Sequence, residues 1–185
     1  MSTGQKRPYA EMYPMARHIV EAITPYCQRV EIAGSLRRHR AMVGDIEIVA
    51  LPKVATDLFG EPLPDAPTPL DFFLEMKRVK MAKNGQRFKQ FAYAGVTVDL
   101  FLPESAAHWG AILTIRTGSH DFNMWLMTER QQKAGVMFSE GRVYSKTTGK
   151  VLDTPEEEDV FKLLNLDFVP PEDRDDQKWL AYVKR

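Results

Sequence analysis

Cysteine is nearly absent: Cys27 is the one such residue in the chain. No internal disulfide can form, so the expected setting is a reducing one, cytoplasmic or another intracellular compartment. No apolar run approaches the roughly twenty residues that a membrane-spanning helix needs, and no membrane partner is expected. The stretch from Met1 to Met12 is polar and carries Lys6 and Arg7, so a secretory leader is not expected either. There is no excess of charge, since 25 Lys and Arg stand against 25 Asp and Glu. Eleven Gly and twelve Pro are too few for a fibrous or low-complexity chain. Apolar and aromatic residues are plentiful: 44% of the 185 residues are hydrophobic, with ten Phe, six Tyr and three Trp. That is enough for a real core, in one domain or two small ones, and excludes a disordered chain.

The neutral sum conceals an uneven distribution. From Lys77 to Lys89 the chain carries Lys77, Arg78, Lys80, Lys83, Arg87 and Lys89 with no acid among them. Arg37, Arg38, His39 and Arg40 form a second basic cluster, and beyond Asp153 the balance turns acidic, through Glu156, Glu157, Glu158, Asp159, Glu172, Asp173, Asp175 and Asp176. Local charge is what meets phosphates, so the Lys77–Lys89 stretch is a candidate nucleic-acid contact; the plainer reading is a set of solvated faces.

Periodicity predicts a helix over 9–26, a short strand over 30–33 and a strand over 45–51. A proline-rich loop follows over 52–69, then a helix over 70–79 capped by Thr68 with Pro69 at its first position. A hairpin is expected over 87–102 around Ala94-Gly95. Two helices, 105–116 and 121–134, flank Thr117-Gly118-Ser119, and a further hairpin runs over 136–151. Thr154-Pro155-Glu156-Glu157 reads as a capping box for a helix reaching Leu164. The fold class is α+β, with strands concentrated in the first hundred residues.

Asp45-Ile46-Glu47 carries the most chemistry. Residues two apart on a strand share a face, so both carboxylates project together while Ile46 and Ile48 face a core. Neighbouring acids repel, and a divalent cation is an economical compensation. A wet strand edge is the alternative. Asp99, in Val98-Asp99-Leu100, sits on a second predicted strand with the same alternation. If the strands are neighbours, three carboxylates meet, as in sites that hold two metal ions about 3.5–4 Å apart for in-line phosphoryl transfer. Gly34-Ser35, directly after a short strand, would let backbone N–H groups and a hydroxyl approach phosphate oxygens, with Arg37 or Arg38 adding charge-assisted contacts; an ordinary turn is the alternative. His18, His39, His108 and His120 lack partners at zinc-ligand spacing, and Cys27 reads as a small, partly buried hydrophobe.

Taken in order, Ala33-Gly34-Ser35-Leu36-Arg37-Arg38, Gly44-Asp45-Ile46-Glu47 and Val98-Asp99 resemble the polymerase-beta-type nucleotidyltransferases. Thr117-Gly118-Ser119-His120-Asp121-Phe122-Asn123 resembles the nucleotide-binding segment of the family X DNA polymerases, and Glu157 to Phe161 with Pro170 to Arg174 resembles their closing segment. The resemblance implies a palm with a mixed sheet and flanking helices over 1–104, and a small α/β nucleotide-selecting subdomain over 105–185. It implies a minimal form, as in the smallest viral members, without the family's N-terminal lyase and DNA-binding regions. Asp45, Glu47 and Asp99 would hold two Mg²⁺ or Mn²⁺ ions, and Asp99 would accept the primer 3′-hydroxyl proton. Gly34, Ser35, Arg38 and Gly44 would bind nucleotide phosphates. Thr117 and Gly118 would pack on the sugar, and Asn123 would reach the base. The implied partners are primer-template or gapped DNA and a dNTP, the protein acting as a monomer in repair-type synthesis. Ile115-Arg116 stand where the family usually has an aromatic pair, which implies weaker exclusion of rNTPs; Glu47 stands in place of the usual Asp, and Thr97 in place of a frequent Arg. Two other readings use the same residues: template-independent nucleotide transfer to RNA, protein or a small molecule, and a non-enzymatic nucleic-acid-binding module.

Overall fold

The structure, a computed structural model, describes residues 5–63 and 66–184. The chain runs β1 (Arg7–Pro8), α1 (Tyr9–Ile23), β2 (Cys27–Ile32), α2 (Gly34–Arg37), β3 (Met42–Val43) and β4 (Ile46–Pro52). Then come α3 (Pro69–Met76), β5 (Met81–Asn84), β6 (Phe88–Tyr93), β7 (Val96–Phe101), α4 (Trp109–Thr117) and α5 (His120–Trp125). The last elements are α6 (Gln131–Lys133), β8 (Val136–Ser139), β9 (Arg142–Ser145), β10 (Val151–Leu152) and α7 (Glu157–Leu163). This is an α+β chain with a mixed sheet and flanking helices. It forms two compact units, Met1–Ile32 with Met42–Leu102, and Ala33–Ala41 with Pro103–Arg185. A single cut after residue 104 therefore does not describe the division. Ala33–Ala41 groups with the second unit, where Arg37 bonds to Thr117 and Arg38 to Asp175.

The first unit is built on a five-stranded sheet ordered β2-β4-β7-β6-β5. Only β4 and β7 pair in parallel; the other neighbours are antiparallel. Ile48, Val49, Ala50 and Leu51 are all buried, so this part of β4 has no face open to water, which accounts for its unbroken apolar run. Helix α1 buries Met12, Ala16, Ile19 and Ile23, one stripe at helical spacing, and packs on β2 and β4. Helix α3 has the predicted cap: Thr68 Oγ1 accepts from Asp71 N at 3.2 Å, and Thr68 N donates to Asp71 Oδ2 at 2.8 Å. Between β6 and β7, Ala94 (φ 48°) and Gly95 (φ 76°) both take positive φ, as a two-residue turn matched to the strand twist requires. Cys27 is buried, and desolvation pushes its thiol up to about 12, against a smaller lowering by Lys53.

The sequence reading misses β5 and the β1–β3 pair. Met81–Asn84 exposes most of its length and has no apolar alternation to betray it, and β1 and β3 hold two residues each. In the loop predicted over 52–69, residues 64 and 65 lie outside the described residues. Its turn is tied by Asp57 Oδ1, which accepts from Phe59 N at 2.8 Å and Glu61 N at 2.9 Å and leaves Leu58 and Phe59 exposed.

The second unit packs α4, α5, α7 and an antiparallel sheet ordered β10-β9-β8 around Phe122, Phe161 and Trp179. The helical run from α5 to α6 passes through a π-helical segment, Leu126–Arg130. The capping box of α7 falls two residues later than the sequence suggests: Glu156 N donates to Asp159 Oδ2 at 3.0 Å. Thr154 is used otherwise, its N–H donating to Ala107 O and its carbonyl accepting from Gly110 N, both at 2.7 Å. This contact draws the chain so close that a Cβ on Gly110 would lie 2.1 Å from Glu156 O and 2.4 Å from its carbonyl carbon. In an open helix Gly→Ala gains about 1 kcal/mol. Here the backbone of 156 must move, so Gly110→Ala is expected to destabilise the protein by about 1–3 kcal/mol, read from urea unfolding.

Candidate active site

The parallel register of β4 and β7 sets Ile46 beside Val98, Glu47 beside Asp99 and Ile48 beside Leu100. Ile46, Ile48, Val98 and Leu100 are buried, which turns Glu47 and Asp99 together to the opposite face. On the far side of Asp99, β6 sets Gln90 in register, and Gln90 Nε2 donates to Asp99 Oδ1 at 2.7 Å. Glu47, Asp99 and Gln90 thus form a row across three strands. Asp45 lies just ahead of β4, two residues before Glu47. Burial first, and then the negative charge of Asp99, hold the Asp45 carboxyl above its ordinary range, so these two acids feel each other. Gly44 precedes Asp45 in the same unit.

For divalent cations the donors fit in kind: they are hard carboxylate oxygens, with repulsion between Asp45 and Asp99 that a cation would relieve. Among the described residues, no group of three His, Cys, Asp or Glu side chains is gathered as a ready metal site. The sheet aligns the acids without closing them around a point.

The basic stretch divides. Lys77, Arg78, Lys80, Lys83 and Arg87 are exposed, Lys77 and Lys83 with their ammonium groups 5.9 and 5.4 Å from the Phe73 and Phe88 rings. Lys89 is buried and bonds Asp71 Oδ1 at 2.7 Å and Asn84 Oδ1 at 2.6 Å. Burial pushes Asp71 up, but its bonds with Lys89 and Thr68 outweigh this and hold it below the usual carboxylate range. Lys89 is therefore a core ion-pair member, and its expected role as a DNA contact is withdrawn.

In the second unit the basic cluster and the acidic tail meet. Arg37 donates to Thr117 Oγ1 at 2.8 Å and pairs with Glu157 Oε2 at 2.7 Å. Arg38 pairs with Asp175 at 3.1 Å and also donates to Thr117 O; Arg40 lies 3.6 Å from Asp175. The structure thus gives Arg38 partners of its own, where the sequence suggested an open phosphate ligand. Ser35 and Gly34 open α2, and Gly34 is buried. Thr117 is buried; Ser119 caps α5, accepting from Phe122 N at 3.3 Å and donating to Arg174 O at 2.5 Å. Asn123 turns its amide to Ile115 O at 2.7 Å, leaving Oδ1 buried without a hydrogen-bond partner among the described residues.

Sequence reasoning assigned no role to Arg174 and took Glu157 as the acid of a capping box, yet together they anchor this unit. Arg174 is fully buried, donates to Val169 O and Glu157 Oε1 at 2.9 Å each, and stacks near Phe122, Phe161 and Phe168. Burial lowers the pKa of Arg174, but a guanidinium stays protonated in proteins, so the pair is charged. Burial also pushes Glu157 up, and the charges of Arg174 and Arg37 overcome it, holding the carboxyl below its ordinary value.

Residues 112–175, about a third of the chain, match the family model described as the DNA polymerase beta thumb. The match covers α5, α7, Glu157 and Arg174 and supports a relationship of this segment to polymerase-beta-like proteins. No curated protein matches the chain. Among the described residues, no helix is long and apolar enough to cross a membrane.

Because Glu157 is held below its ordinary pKa, its stabilisation is present above the unfolded value and is lost as pH falls through the folded one. Glu157→Gln is expected to cost about 3–5 kcal/mol near neutral pH, where it strands Arg174 without its countercharge. The difference from wild type should shrink in acid as the native carboxyl itself protonates. Urea unfolding of both proteins across acid and neutral pH checks it; a pH-independent difference would contradict the charged pair.

Proposed function

We propose that this chain is a nucleotidyltransferase of the polymerase-beta type that adds nucleotides to a DNA primer 3′ end. The observation that carries this reading is the in-register pairing of Glu47 with Asp99, with Asp45 coupled to Asp99 by charge. The thumb-like segment on the same chain supports a DNA polymerase over other users of paired acids. The first unit is read as a palm.

In the proposed reaction the primer 3′-oxygen attacks the α-phosphorus of the incoming nucleotide. A new P–O bond forms, the bond from the α-phosphorus to the bridging oxygen breaks, and pyrophosphate departs with that electron pair. Asp99 accepts the hydroxyl proton. Asp45, Glu47 and Asp99 would hold Mg²⁺ or Mn²⁺, which when bound supplies Lewis acidity and neutralises phosphate charge. Gly34, Ser35 and Gly44 would take phosphate oxygens, and Arg38 would join them only by exchanging its Asp175 partner. Thr117 and Gly118 would lie against the sugar. Asn123 would offer its unpartnered carbonyl oxygen toward the base. Lys77, Arg78, Lys80, Lys83 and Arg87 would follow the DNA backbone. Gap filling in repair is the expected setting.

Withdrawal of Lys89 from the basic stretch favours one second reading, transfer to a smaller acceptor. Extension of labelled primers on single-stranded, primed and gapped DNA, with each dNTP and rNTP, separates the two. Template-directed extension is expected, with Asp99→Asn lowering the rate about 10²–10⁴-fold while the fold is retained. DNA affinity should fall with salt at a slope near −0.9 per phosphate neutralised. Salt-independent affinity with no templated product would favour the small acceptor.

A further inference from the structure

We infer that Gln90 is a positioning residue for Asp99, holding one carboxylate oxygen so that the other is presented to the reacting hydroxyl. The inference rests on reading Asp99 as the proton acceptor. Gln90 and Asp99 are direct cross-strand partners on β6 and β7, with the amide N–H 2.7 Å from Oδ1. Among the described residues Gln90 is the only hydrogen-bond donor to the Asp99 side chain. The terminal torsion of an aspartate is broad and close to two-fold, so without this bond the two oxygens would exchange freely. One donor on Oδ1 breaks that symmetry.

The neighbouring residue explains why a neutral group is used. Lys89 and Gln90 are consecutive on a strand and point to opposite faces. Lys89 carries its charge to the buried side, where Asp71 and Asn84 bind it. Gln90 carries an uncharged donor to the acid side. A register slip by one residue would put an ammonium beside Asp99 and neutralise the charge that the row concentrates. An amide donates a hydrogen bond to the carboxylate, strengthened by the acceptor's charge, without reducing the row's net charge. Strand β6 thus keeps its cation off the face that carries the acids.

The test uses the full chain and four proteins: wild type, Gln90→Ala, Gln90→Lys and Asp99→Asn. Each is measured for primer extension, for Mn²⁺ binding by electron paramagnetic resonance with the metal alone, and for Tm. Gln90→Ala should lower kcat about 10–100-fold, with KM for the nucleotide within about threefold and Tm near wild type. Gln90→Lys should weaken Mn²⁺ binding, because the ammonium competes for Asp99. A purely structural glutamine would instead lower Tm in Gln90→Ala, with kcat unchanged for the folded fraction, and that result would overturn the inference. Activity lost in Asp99→Asn but kept within about twofold in Gln90→Ala would overturn the role of Gln90 alone. Extension that survives Asp99→Asn would bring down both the reading of the site and the inference.

Discussion

Strands β4 and β7 run parallel and in register, and the acid row depends on that pairing. It places Glu47 beside Asp99 and buries the isoleucines, valine and leucine that alternate with them. Because side chains alternate along a strand, a slip of one residue on either strand would bury one acid and expose an aliphatic residue. The apolar core therefore specifies the register, and the register in turn specifies the acid row. Desolvation and packing on one face of the sheet hold like charges together on the other.

That arrangement is costly in isolation. Asp45 is held above its ordinary range by burial and by Asp99, and among the described residues the one hydrogen bond given to the Asp99 side chain comes from a neutral amide. The positive charge beside Gln90 in the sequence, on Lys89, is bound by Asp71 and Asn84. The first unit thus uses a buried ion pair for structure, while Asp45 and Asp99 stay close enough to repel. The second unit treats charge differently. Arg37, Glu157 and Arg174 form a desolvated chain of alternating sign, closed by aromatic rings and backbone carbonyls. Such a group is poor evidence of net stability, but losing one member strands the others.

Much of this was legible in the sequence. Two-residue periodicity identified β4, β6 and β7, and the alternation around Glu47 and Asp99 set these two on one face once the strands were neighbours, whereas Asp45 falls just ahead of β4. Thr68-Pro69 announced α3 because capping is local chemistry. What failed to show depends on partners distant in the chain. Lys89 looks like the other lysines of its stretch until Asp71 on α3 is placed beside it. Arg37 and Arg38 look like open cations until Glu157, Thr117 and Asp175 meet them. Met81–Asn84 becomes a strand by pairing with β6 and carries no apolar pattern of its own. The cap of α7 moved because Thr154 was already committed to Ala107 and Gly110.

On the proposed function, the acids of β4 and β7 form a surface that would take a divalent cation. Thermal unfolding of the full chain, stripped of metal and then titrated with Mg²⁺, tests it most directly. A ligand that binds the folded state alone stabilises it by about 2.7 kcal/mol at a concentration one hundred times its Kd. Wild-type Tm should therefore climb with Mg²⁺ in a binding curve, and a Glu47→Gln, Asp99→Asn double variant should stay flat. A wild-type Tm indifferent to Mg²⁺, or an equal rise in the double variant, would contradict cation binding by these acids.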